Sequence, residues 1–116
     1  MPTISVTDGP QFEAEATTRL VIALEDNGVD ILHRCGGNAK CTTCRVTFEA
    51  GESNKMTEAE QERLGENLGE FRLSCQILCE QDMRVTPIYR LSESEMDDAG
   101  PRPADHITPE PVWTET

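Results

Sequence analysis

The sequence predicts a small α+β domain, a mixed sheet covered by one main helix, and three observations lead there. Apolar and polar residues alternate at the strand period near the start of the chain and again beyond its middle, and helix signals lie between. A length of 116 residues with 36% hydrophobic and 4% aromatic character supplies one modest core and no second one. Residues 1–91 form the expected domain, and residues 92–116 form an acidic, Pro-rich C-terminal extension.

Thr3 to Thr7 place Ile4 and Val6 on one face, and Gln11 to Ala16 resume the alternation after the turn residues Asp8, Gly9 and Pro10, so a hairpin opens the domain. Thr17 or Thr18 offers a side-chain cap for a helix through Leu20, Val21, Ala23 and Leu24, with Asn27 and Gly28 as its stop signal. Cys44 to Glu49 alternates again, with Val46 and Phe48 inward, and ends at Ala50 and Gly51. Thr57 followed by Glu60 is a capping-box pattern that starts a short acidic helix exposing Glu58, Glu60 and Glu62. Phe71 to Cys75 and Met83 to Ile88 complete the strands, and Pro87 argues for a sheet edge for the last of them. Regular structure is expected to stop near Leu91.

Beyond Ser92 the chain turns to Glu93, Glu95, Asp97 and Asp98, then to Pro101, Pro103, Pro109 and Pro111, a mixture too poor in apolar residues to fold alone. Trp113, with Ile107 and Val112, gives this tail a means of docking on the body.

A net charge of -12 sets the chain against nucleic acid, whose phosphates would meet a like-signed field, and favours a basic protein partner. No apolar run can span a bilayer, so no membrane insertion is expected, and Met1 to Thr7 lack the features of a secretory signal. The expectation is a cytoplasmic monomer, where an odd number of cysteines serves metal binding or thiol chemistry rather than a disulfide framework.

Four of the five cysteines follow the order Cys35, Cys41, Cys44 and then, much later, Cys75. Three thiolates within one short loop can wrap a compact inorganic core only if the backbone turns sharply, and Gly36, Gly37 and Ala39 permit that. Thiolates are the preferred donors for iron bridged by sulfide, and four of them leave no open coordination position, which suits electron transfer. Loop amides and the Thr42 and Thr43 hydroxyls are candidates to donate to the sulfurs and favour added negative charge. No catalytic triad, phosphate-binding loop or recognisable carboxylate pair is present, so substrate turnover is not expected.

Cys35-Gly-Gly-Asn-Ala-Lys-Cys41-Thr-Thr-Cys44 together with Arg72-Leu-Ser-Cys75-Gln76 resembles the 2Fe–2S ferredoxins of plant and adrenodoxin type, over about Thr3 to Ile88. The stretch Gly36 to Lys40 between the first two cysteines is one residue longer than in plant-type members and matches the adrenodoxin-like and bacterial spacing. The resemblance implies a β-grasp fold and one 2Fe–2S cluster held by Cys35, Cys41, Cys44 and Cys75. It also implies that Cys35 and Cys41 bind the outer iron, where the added electron mainly resides, and Cys44 and Cys75 the deeper one. The implied partners are a ferredoxin reductase and electron-accepting enzymes such as an oxygenase or cytochrome P450, docking basic surfaces against the acidic helix around Glu58 to Glu66. Electron donation to iron–sulfur cluster assembly is an alternative role.

Zinc is the rival for the thiols: Cys41 with Cys44 and Cys75 with Cys79 are two pairs that could build a tetrahedral structural site in an interaction module. That reading leaves the glycine-containing Cys35 loop unexplained. Under the cluster reading Cys79 is a small buried hydrophobe. His33 and His106 do not make the paired set of a Rieske centre, and Arg34, Lys40 and Arg45 are basic residues near the loop rather than site residues.

Overall fold

The computed structural model describes residues 2–7, 9–29, 31, 44–53, 55–67, 69–88, 103–104, 107 and 111–115. Strand β1 (Thr3–Val6) pairs antiparallel with β2 (Gln11–Glu13), Ile4 lying opposite Phe12. Gly9 N–H donates to Val6 O at 2.9 Å and Val6 N–H to Pro10 O at 3.0 Å, closing the turn. Ile4 and Val6 are both buried, as the alternation requires.

Helix α1 (Leu20–Asp26) buries Leu20, Val21, Ile22, Ala23 and Leu24. Its start departs from the expected Thr17 or Thr18 cap, since Arg19 occupies the capping position and makes no side-chain cap bond. Chain pairing does the work of a cap: Leu20 N–H donates to Ile77 O at 2.7 Å, and Thr18 O accepts from Cys79 N–H at 2.9 Å. The end agrees with expectation. Gly28 takes φ 87°, its N–H donates to Glu25 O, and Val29 N–H reaches back to Leu24 O, the paired bonds of a left-handed helix stop.

Strands β3 (Arg45–Ala50), β4 (Lys55–Thr57), β5 (Arg72–Leu73) and β6 (Met83–Pro87) follow. The main sheet has five strands in the order β2-β1-β6-β3-β5, mixed because β1 and β6 run parallel. Strand β6 is therefore central, not an edge. Pro87 is tolerated there as its last residue: Thr7 N–H still donates to Val85 O, and the absent proline N–H ends the β1 pairing at that point. The segment expected as a strand from Phe71 to Cys75 pairs only at Arg72 and Leu73, then tightens into a 3-10 turn at Ser74–Gln76.

Helix α2 (Glu58–Leu64) starts as the capping pattern predicts, with Glu60 N–H donating to the Thr57 hydroxyl at 3.1 Å. Glu60 itself is 0% exposed, which corrects its assignment to the exposed face. Its carboxylate accepts from Arg72 Nε (2.8 Å), Arg72 Nη2 (3.1 Å) and Leu73 N–H (2.9 Å), tying α2 to β5. Glu58 and Glu62 remain exposed.

Regular structure resumes well past Leu91. Strand β7 (Trp113–Glu115) pairs antiparallel with β4, Trp113 opposite Thr57, and Glu58 N–H donates to Val112 O at 2.8 Å. Lys55 Nζ lies 4.5 Å from the Trp113 ring centroid, and Ile107 is buried. Among the described residues no helix is long and apolar enough to cross a membrane.

Candidate metal centre

The sheet brings two of the predicted ligands to the same end. Cys44 immediately precedes β3, and Cys75 is the middle residue of the turn that follows β5. The antiparallel register pairs Arg45 with Leu73, and its continuation sets Cys44 beside Ser74, whose N–H (3.0 Å) and hydroxyl (2.8 Å) both donate to the Cys44 carbonyl. Both cysteines are buried, at 1% and 0% exposure.

Three buried polar side chains hold this corner. Arg19 donates through Nε (3.0 Å) and Nη2 (2.8 Å) to the Cys75 carbonyl, and through Nη1 to the Ala104 carbonyl at 2.8 Å. Gln76 points its amide Nε2 at Cys75 Sγ, 3.6 Å away, while its Oε1 accepts from the Thr57 hydroxyl at 2.7 Å. Arg72, on strand β5 ahead of Cys75, is fixed by Glu60 and also reaches Glu52, Ser53 O and Lys55 O. Burial alone would lower the Arg72 pKa, but its bonds and attraction to Glu60 and then Glu52 outweigh that and hold it above the ordinary guanidinium value.

Cys79 follows on the next stretch of chain, its N–H donating to Thr18 O at 2.9 Å. It is 0% exposed, and burial pushes its thiol pKa up to about 12, the behaviour of a small apolar residue rather than a reactive thiol. Among the described residues no group of three or more His, Cys, Asp and Glu side chains is placed to hold a metal ion, so Cys44, Cys75 and Cys79 do not converge. The zinc alternative requires that they do. Cys35, Cys41, Thr42, Thr43, His33, Arg34, Lys40 and His106 lie outside the described residues.

Thiol donors at Cys44 and Cys75, enclosed by the core and faced by an amide N–H, fit an iron–sulfide core, whose sulfur ligands carry negative charge and accept hydrogen bonds. Arg19, Gln76 and Glu60 were not among the predicted site residues. Gln76 could have been found from its place next to Cys75, but the contacts of Arg19 and Glu60 join segments that nothing local in the sequence connects.

A mixed sheet with thiols gathered at one end is the frame of an iron–sulfur electron-transfer domain, and the comparisons agree. Residues 6–80 match the model of the 2Fe-2S iron-sulfur cluster binding domain, and the chain belongs to that family. One 2Fe–2S cluster is accordingly its cofactor. The chain is 34% identical to rhodocoxin of Rhodococcus erythropolis over 108 residues, covering 83% of this chain and 100% of rhodocoxin. It is 37% identical over 68 residues to one polypeptide of the Na(+)-translocating NADH-quinone reductase of Shewanella denitrificans, covering 58% of this chain but only 17% of that longer protein. Its structure matches the ISC-like 2Fe–2S ferredoxin of Pseudomonas putida with a TM-score of 0.62 at 23% identity, over 81% of this chain and 99% of that one, a likeness of fold. The β-grasp expectation is met.

Proposed function

We propose that this chain is a one-electron carrier whose cluster is held by Cys35, Cys41, Cys44 and Cys75, and that it passes electrons from a ferredoxin reductase to an acceptor enzyme. The observation that carries this reading is the burial of Cys44 and Cys75 at the same end of the sheet, within the matched residues 6–80. A bound 2Fe–2S cluster supplies one-electron redox chemistry without a substrate site. The chain's own residues do the rest. Burial keeps water from Cys44 and Cys75, Ser74 locks Cys44 to the turn that carries Cys75, and Arg19 fixes that turn through the Cys75 carbonyl.

In this reading the docking face is α2, where Glu58 and Glu62 are exposed and Glu66 follows, opposed by a basic surface on a reductase or on an oxygenase or cytochrome P450. The protein works as a cytoplasmic monomer. Anaerobic titration of the holoprotein with dithionite tests the proposal: uptake of one electron per chain, with a rhombic EPR signal appearing as the visible bands bleach, is expected. Absence of any reducible chromophore would refute it.

A further inference from the structure

We infer that Gln76 is a positioning residue for electron transfer, its side-chain amide donating to the Cys75 sulfur and raising the reduction potential of the centre, with Thr57 holding the amide in place. The inference rests on the reading of Cys75 as a cluster ligand. Gln76 and Thr57 are buried, at 0% and 1% exposure, so both ends of the carboxamide need partners inside the protein. A ligating thiolate can only accept, which requires the NH2 end of Gln76 to face Cys75 Sγ, and Nε2 stands there at 3.6 Å. The carbonyl end then points to Thr57 Oγ1 at 2.7 Å.

Thr57 is equipped to supply that proton. Its hydroxyl oxygen already accepts from Glu60 N–H at 3.1 Å, leaving its own O–H for Gln76. Thr57 is also the junction of β4 and α2 and lies opposite Trp113 of β7, so three elements fix its position. A relay runs from Thr57 through Gln76 to Cys75 in a buried interior, where polar bonds are strong and each polarises the next.

The effect on redox chemistry follows from charge. One electron taken from an external one-electron donor makes the sulfur ligands more negative, and an N–H already aimed at one of them stabilises the reduced form more than the oxidised form. No proton changes place, because the amide keeps its hydrogen.

The test compares midpoint potentials of holoproteins that have equal iron and labile-sulfide content. Gln76→Leu should retain the cluster and titrate at a more negative potential; Thr57→Val should shift in the same direction by less, and Thr57→Ser should restore the wild-type value. A fully loaded Gln76→Leu protein with the wild-type potential would overturn the inference. Should that variant fail to load, the reduced wild-type protein decides: with glutamine side chains labelled in 15N, pulsed EPR should detect a coupled side-chain nitrogen, and none coupled would equally overturn it. The ligand reading fails separately, if Cys75→Ser retains a wild-type cluster.

Discussion

Replacing Glu60 with alanine should destabilise the protein far more than the same change at Glu62 on the same helix. The Glu60 carboxylate is buried and accepts three bonds, two from Arg72 and one from Leu73 N–H, whereas Glu62 is exposed. Removing one member of a buried ion pair costs about 3–5 kcal/mol, because the other charge stays desolvated. Glu52, Ser53 O and Lys55 O still hold Arg72, which reduces that cost, while the stranded Leu73 N–H adds about 1–3 kcal/mol. The expected loss is about 3 kcal/mol. With a urea slope of about 1–3 kcal/mol per M, the unfolding midpoint should fall by about 1–3 M. The assay is urea unfolding of the anaerobic holoproteins, followed together by far-UV circular dichroism and by loss of the visible bands. Glu62→Ala should remain within about 0.5 kcal/mol of wild type. Equal midpoints for the two variants would refute the assignment of Glu60 to a structural tie, and would return it to the docking face.

Gly51→Ala should cost about 2 kcal/mol or more, because φ is 76° and an added Cβ would collide with the Asp82 carbonyl oxygen; a wild-type melting temperature would contradict this. The buried Cys79 thiol makes stability fall at high pH. Below its ordinary pKa of 9.0 both folded and unfolded forms keep the proton; above it the unfolded chain releases the proton while the folded one holds it up to about 12, so stability drops across that window. Cys79→Ala should show a decline shallower by up to about 1.4 kcal/mol per pH unit in urea titrations, and identical slopes would show that Cys79 does not titrate this way. Association with a reductase should slow about tenfold or more between low and high salt in stopped-flow measurements, given the charge of -12, and salt-independent rates would argue against an acidic docking face.

Much of the fold was legible because its signals are local. The alternation around Ile4 and Val6, the Asn27 and Gly28 stop and the Thr57 cap each depend on residues a few positions apart, and each appears in the structure. The central place of β6 was not legible, since its parallel pairing joins Val6 to Val85, and Pro87 read in isolation argues for an edge. Glu60 misled for a related physical reason. A capping-box glutamate ordinarily reaches back to its own helix start, but Arg72 is delivered beside it by a separate strand and binds it more strongly. The start of α1 followed the same logic, with Ile77 O taking the place of a threonine cap. At the site, the cysteine order is the basis of the proposed ligand set, while the polar groups behind Cys75 come from Arg19, Thr57 and Gln76, whose meeting is a product of the fold. The exposed Trp113 suggested docking of the tail, yet its strand partner β4 carries too few residues to announce an edge.

The central claim is that Cys75 binds iron and Cys79 does not. Serine variants of each, purified anaerobically and assayed for iron and acid-labile sulfide, test it most directly. Cys79→Ser should carry the wild-type content of both, and Cys75→Ser should lose most of each while its far-UV spectrum remains that of a folded chain. Equal content in the two variants would contradict the ligand assignment.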